Sequence, residues 1–259
     1  MKDNCWRYIG ASVIGTSHLA KGGKCQDTHA VFLTKDSTDE EILLIVAADG
    51  AGSAEKSDEG AELACDKFIS IVDTYFKCGG TFIQINSDLL DTWINNIHES
   101  MLEKALASKR IIRDFACTFL ALIVGEKSAI AAQIGDGAIV IRSDGAYKVV
   151  LWPQSGEYVN ITFFITDDLF INYLNTIPID SIVDEVAIFT DGIQMLALHN
   201  KTKTVFEPFL RPMFDTLRKE PSGKRANLIM SLEEYLGSPL INERTDDDKT
   251  LILATRYRD

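Results

Sequence analysis

Three short apolar runs in this chain end alike, in an aspartate followed by a glycine. They are Leu43-Leu44-Ile45-Val46-Ala47-Ala48-Asp49-Gly50, Ala131-Ala132-Gln133-Ile134-Gly135-Asp136-Gly137 and Val186-Ala187-Ile188-Phe189-Thr190-Asp191-Gly192. A brief apolar run, rich in branched side chains and closed by glycine, reads as a buried strand entering a turn. Each carboxylate is then delivered to a strand end, where it can face solvent or a cation. Asp-Gly is also an ordinary way to stop a strand. A fourth copy, Asp144-Gly145, lies between the alternating segments 138–142 and 147–150 and reads as a hairpin turn alone. The other three are strand ends whose carboxylates could meet in one site.

The elements around them alternate in kind. A first strand is expected over 6–14, then a flexible, basic loop from Gly15 to Asp27, a second strand over 28–33 and the strand carrying Asp49. Apolar residues at Ala61, Leu63, Ala64, Phe68, Ile71 and Val72 recur at helical spacing, up to Cys78-Gly79-Gly80. Acidic residues at its N-terminal part suit the helix dipole. A second long helix is expected over 87–108, with Ser87 as its N-cap. A meander follows: 115–124, 128–134, 138–142 and 147–151, then a short strand over 161–165. Phe170 to Pro178 reads as irregular or helical, and 154–178 as a flap over a substrate. After the Asp191 strand come helices near 206–218 and 223–236 and a closing strand over 249–255. Strands joined by hairpins make antiparallel sheet, and the helices must cover its faces. With no Pro- or Ser-rich linker and no internal repeat, residues 1–259 are expected to form a single α+β domain.

A formal charge of −12 argues against a nucleic-acid partner and against docking on an anionic membrane. No apolar run approaches the roughly 20 residues that span a bilayer. Cys5, Cys25, Cys65, Cys78 and Cys117 are odd in number and show no CxxC spacing, so neither a zinc site nor a disulfide framework is indicated. A cytoplasmic, reducing location is expected.

Five acidic positions fall in loops: Asp27, Asp49, Asp136, Asp191 and the triplet Asp246-Asp247-Asp248. Histidine and cysteine are absent from them, so the ligand set is oxygen alone, suited to Mg2+, Mn2+ or Ca2+. Without a cation, clustered carboxylates raise one another's pKa. Two such ions can lower the pKa of a bridging water and clamp a phosphoryl group.

Taken in order, Cys25-Gln26-Asp27, Asp49-Gly50-Ala51-Gly52-Ser53, Ala116-Cys117-Thr118, Ile134-Gly135-Asp136-Gly137, Phe189-Thr190-Asp191-Gly192 and Asp247-Asp248-Lys249-Thr250 resemble the motifs of the metal-dependent type 2C serine/threonine protein phosphatases. Gly15-Thr16-Ser17-His18 together with Cys25-Gln26-Asp27 is similar to a bacterial branch of that family. The resemblance implies a four-layer α-β-β-α sandwich of two antiparallel sheets flanked by helices. It implies hydrolysis of phosphoserine or phosphothreonine in proteins by a metal-activated water, with two, or three, Mg2+ or Mn2+ ions as cofactors. Asp49 would bridge two ions, the Gly50 carbonyl would bind the second, and Asp191 and Asp247 would hold the first. Asp136 with Asp191 matches a third metal's ligands, and Asp27 an acid that binds or orients metal-bound water. Gln26 and Asp248 stand beside these ligands.

The chain departs from the family's pattern in four places. Gln26 replaces a glutamate, Asp248 stands where asparagine is frequent, Ala51 takes the place of a histidine proposed as general acid, and Gly22 that of a phosphate-binding arginine. Lys21 or Lys24 could supply the missing cation, or both could be solvated loop residues. His18 could protonate a leaving alkoxide, or serve as a hydrogen-bonding scaffold. Ser53 could contact phosphate or cap the next helix. Thr118 reads as a core strand residue. Two other readings remain open: a phosphatase-like interaction module with weak catalysis, and a phosphatase of small phosphorylated metabolites. Substrate identity and oligomeric state lie outside what the sequence determines.

Overall fold

The computed structural model describes residues 6–154 and 162–256. β1 (Arg7–Val13) leads through Gly15 into a short helix, α1 (Thr16–Ala20), where the sequence reads as a flexible loop. β2 (Thr28–Lys35) and β3 (Glu41–Ala48) form a hairpin. From Ile42 to Ala48 every residue of β3 is buried, which explains a run without polar alternation. Ile42, Leu44, Val46 and Ala48 pack towards helices, whereas Leu43, Ile45 and Ala47 pack towards a second sheet, as the period of two requires.

α2 (Ser57–Lys77) and α3 (Ser87–Ala107) supply the helical partner. Gly60 of α2 lies so close to the Phe115 carbonyl that a Cβ there would sit 2.0 Å from its oxygen. The α3 N-cap is Asn86, not Ser87: the Asn86 side chain accepts a hydrogen bond from Leu89 N at 2.9 Å. Ser53 does not cap α2, whose N-cap residue is Lys56.

β4 (Phe119–Val124), β5 (Ala129–Ile134), β6 (Ala138–Ser143) and β7 (Ala146–Leu151) follow, but they are not one meander. β5 pairs with β4 and with β8 (Asn175–Ile179), while β6 pairs with β7 and with β9 (Glu185–Phe189). The chain therefore changes sheets across Gly135-Asp136-Gly137. Gly135 turns there with φ +106°, a conformation that favours glycine. Phe170 to Pro178, expected to be irregular or helical, is a 3-10 turn (Phe170–Asn172) followed by β8, an edge strand that tolerates Pro178. No strand covers 162–165; residue 161 and most of the expected flap's first half, 155–161, lie outside the described residues.

α4 (Asp191–Ala197) starts directly after β9 and was not anticipated from the sequence. A small hairpin, β10 (Leu198–His199) and β11 (Thr204–Val205), precedes α5 (Glu207–Arg218). After β12 (Gly223–Lys224) come α6 (Ala226–Leu236), α7 (Pro239–Asn242) and β13 (Lys249–Thr255).

One sheet has the order β2-β3-β4-β5-β8 and the other β12-β1-β13-β9-β6-β7. All pairings in them are antiparallel except the two-residue contact of β1 with β12. Three buried clusters define the layers. α2 and α3 cover the first sheet through Phe68, Trp93 and Phe119; Leu43, Leu120, Ile139 and Ile252 fill the space between sheets; α4, α5 and α6 cover the second through Ile193, Phe214 and Leu236. The fold is thus the α+β, four-layer α-β-β-α sandwich that the resemblance implies. No helix among the described residues is long and apolar enough to cross a membrane.

Candidate metal centre

The loops that carry the acids meet at one end of the two sheets. Asp49 leaves β3 and is clamped by Thr118, whose hydroxyl accepts from Asp49 N at 2.9 Å and whose amide donates to Asp49 O at 2.8 Å. Asp136 sits in the crossover between sheets, and Thr162 donates to its Oδ2 at 2.6 Å. Asp191 is the first residue of α4. Next to it, Gly192 passes so near the β13 loop that a Cβ would lie 2.0 Å from Asp248 O. That close approach holds the Asp247-Asp248 loop against α4. From the other side, a Cβ on Gly15 would lie 2.3 Å from Asp247 C.

Asp49, Asp136 and Asp191 each present one carboxylate oxygen to a common point, all within 4.8 Å of one another. They share a cleft of about 250 Å³ with Gly50, Asp247, His18, Thr118, Thr162 and Phe164. Asp27 lies behind them, 5% exposed. Its Oδ2 accepts from the hydroxyls of Thr190 and Thr250, each at 2.8 Å. Gln26 and Asp248 are adjacent: Asp248 Oδ1 accepts from Gly15 N and Oδ2 from Gln26 N, both at 2.6 Å. Asp248 is thereby engaged by backbone, leaving Asp247, whose Oδ1 accepts from Asp248 N at 2.8 Å, as the member of the triplet that lines the cleft. Lys249 steadies this loop, donating to Asp247 O at 3.2 Å and to Asn242 Oδ1 at 3.0 Å.

Lys21 and Lys24 are not brought to the cleft. Both are exposed; the Lys24 side chain is 85% exposed, with Nζ 4.0 Å from Asp58 Oδ2. No lysine or arginine lines the cleft among the described residues. Ser53 is absent from its lining too, while Ala51 forms part of it.

The electrostatic result is a set of acids that cannot all ionise. Burial pushes the Asp49 carboxyl well above the usual carboxylate range, and the charges of Asp27, Asp191, Asp136 and Asp247 add to the rise. Asp191 is raised to about 7 by burial, then by Asp136 and Asp247, against lowering hydrogen bonds from Asp49 and Gly192 N. Burial also raises Asp27, although the Thr190 and Thr250 hydroxyls oppose it. Asp136 rises from burial, offset by Thr162. Asp27 Oδ1 and Asp191 Oδ1 are buried without a hydrogen-bond partner. Buried acceptors are nearly always satisfied, so two orphaned carboxylate oxygens among converging acids fit a hard divalent cation in chemistry and in charge.

Thr118, Thr162, Thr190 and Thr250 are the site residues that sequence reasoning left without a role. A signal existed for two of them: Thr190 closes an apolar run one residue before Asp191, and Thr250 stands immediately before the apolar run 251–254, two residues after Asp248.

Known proteins share this arrangement of chain. The family model described as Protein phosphatase 2C matches residues 14–236. Serine/threonine-protein phosphatase 3 of Escherichia coli (strain K12) is 37% identical over 249 residues, covering 96% of this chain and 98% of its own. Among solved structures, a bacterial serine phosphatase superposes with a TM-score of 0.66 at 17% identity, over 97% of this chain and 98% of its own. The catalytic domain of the serine threonine protein phosphatase PstP, in complex with two manganese ions, gives a TM-score of 0.59 at 12% identity, over 97% and 98%. The chain belongs to the protein phosphatase 2C family.

Proposed function

We propose that residues 1–259 act as one phosphatase domain that hydrolyses phosphoserine and phosphothreonine in phosphoprotein substrates. The observation that carries this reading is the convergence of Asp49, Asp136 and Asp191, with an orphaned buried oxygen on Asp191 and, among the described residues, no lysine or arginine lining the cleft. Asp49, the Gly50 carbonyl, Asp191 and Asp247 would hold two Mg2+ or Mn2+ ions, and Asp136 with Asp191 a third. The two manganese ions of PstP support that choice of cofactor. Bound ions supply Lewis acidity to the phosphoryl oxygens and an activated water nucleophile. The chain's own contribution is positional. Thr118 holds the end of β3, Thr190 and Thr250 orient Asp27, and Gly192 and Gly15 press the Asp247 loop into place.

The test is release of phosphate from a phosphothreonine peptide with Mn2+, Mg2+ or a chelator, beside Asp49→Asn. Metal-dependent release in the wild type, reduced by at least about 10²–10³ in the variant, is expected. Equal release by both proteins, or release that survives chelation, would sink the proposal. One observation favours a second reading, a binding module with slow turnover: among the described residues no lysine or arginine lines the cleft to meet the phosphate. Calorimetric Mn2+ binding without peptide turnover would favour that module.

A further inference from the structure

His18 is the one ionisable side chain lining the cleft that is not a carboxylate, among the described residues. It rides on α1, which is tied to the metal-site loop by Ser17 N donating to Asp246 O at 2.9 Å. His18 Nδ1 lies 3.0 Å from Asp248 Oδ2, at ion-pair distance but tilted off the hydrogen-bond axis. Asp248 is 2% exposed, and its carboxylate is immobilised by two backbone amides at 2.6 Å. One ring nitrogen therefore faces a fixed anion. The other, Nε2, points towards the Asp49–Gly52 turn, 3.7 Å from where a Cβ on Gly52 would stand. His18 is 18% exposed, so its ring is held in the wall of the cleft while still open to it. An imidazole oriented by a carboxylate on one nitrogen and free on the other is equipped to move a proton. Small misalignment of such contacts is common before substrate binds.

We infer that His18, oriented by Asp248, is the general acid that protonates the leaving serine or threonine oxygen. This assignment rests on the phosphatase reading above. As the P–O bond breaks, its electron pair stays on the side-chain oxygen, which takes the proton from Nε2 of the imidazolium. The attacking water gives its hydroxyl to phosphorus and its proton to solvent, and solvent restores the proton on Nε2. Asp248 keeps the Nδ1–H throughout and stabilises the cation.

A general acid matters in proportion to how poor the leaving group is. An alkoxide from phosphothreonine needs the proton, whereas p-nitrophenolate leaves readily without it. The experiment measures kcat for a phosphothreonine peptide and for p-nitrophenyl phosphate, with calorimetric Mn2+ affinity, in wild type, His18→Asn and Asp248→Asn. In His18→Asn the ratio of peptide to aryl turnover is expected to fall by about 10²–10⁴, with Mn2+ affinity retained. Asp248→Asn is expected to move the ratio in the same direction by less. If His18→Asn lowers both rates alike, or lowers Mn2+ affinity with them, His18 is a scaffold and the assignment is overturned. An unchanged ratio in His18→Asn overturns it as well, and an unchanged ratio in Asp248→Asn removes Asp248 from it. If the wild type hydrolyses neither substrate, it is the phosphatase reading that has failed, and this assignment with it.

Discussion

β9 has an acid at each end, Glu185 buried and Asp191 half-buried, and the two are treated in opposite ways. Glu185, at its start, is 0% exposed and fully partnered. Arg218 grips it with Nε at 2.7 Å and Nη2 at 2.9 Å, Thr255 Oγ1 donates at 3.2 Å, and Tyr147 OH and Arg142 complete the surround. Asp191, just past the other end, has carboxylates for neighbours and a buried oxygen with no partner. The Glu185 cluster is electrostatically closed and holds β6, β9, β13 and α5 together. The Asp191 cluster is open to the cleft and short of positive charge. Burial of a charge is costly unless it is paired, so the first acid is stabilised by its surroundings and the second is not, as the proposed metal site requires.

That contrast can be broken most forcefully at Glu185. Glu185→Gln removes the buried anion that Arg218 grips and leaves Arg218 its contact with Asp215 at 2.6 Å, and should lower unfolding free energy by up to about 3 kcal/mol. Turnover per folded molecule should be unchanged. Asp191→Asn should do the reverse, ending turnover while the metal-free protein keeps or gains stability, because one repelling charge is removed. Urea unfolding with peptide assays reads both; a destabilised, active Asp191→Asn protein would collapse the distinction.

A smaller effect concerns pH. Asp191 is raised from 3.8 to about 7, so without cation the folded protein holds a proton that the unfolded chain has lost. Its contribution to stability is complete below about 4 and disappears as pH rises through about 7. Cations that replace those protons should raise Tm more at pH 7.5 than at pH 5; at pH 7.5 the stabilisation should reach about 2.7 kcal/mol with Mg2+ or Mn2+ at a hundredfold of Kd. A shift as large at pH 5 would mean that the acids do not share protons in this way.

The smallest effect tests positioning. Gly192→Ala removes no ligand, yet its Cβ would stand 2.0 Å from Asp248 O and must displace the loop that carries Asp247. Mn2+ affinity is expected to fall about tenfold, as for altered support around a metal, and, because the atom met is backbone, Tm of the metal-free protein is expected to fall as well. Unaltered affinity would show that the Gly192 approach does not place Asp247.

Much of this architecture is legible locally. The apolar runs into Asp49 and Asp191 are strands, the period at Ala61 to Val72 is a helix, and Cys78-Gly79-Gly80 ends it, with Gly79 at φ +97°. Errors fall where local patterns are ambiguous. β8 contains Pro178 and exposed positions, which obscure a strand at a sheet edge. α1 and α4 are only five and seven residues long, too short to show a period. Asn86 and Ser87 are both good caps, and only the backbone geometry selects Asn86.

What the sequence by itself determined is the inventory: which carboxylates end strands, that oxygen is the only ligand type, and the order of motifs that marks the family. Strand ends, turns and ligand chemistry are set by neighbours along the chain, so they can be read from it. Which sheet each strand joins was decided only in three dimensions. The switch at Gly135-Asp136-Gly137 carries Asp136 across to Asp49 and Asp191, although 87 residues separate Asp49 from Asp136 in sequence. The same holds for the Thr190 and Thr250 hydroxyls on Asp27, the pairing of His18 with Asp248, and the distance of Lys21 and Lys24 from the cleft. These depend on packing between sheets, where sequence separation carries no information about contact. Burial, which turns a list of aspartates into a centre short of positive charge, exists only once the sheets have closed.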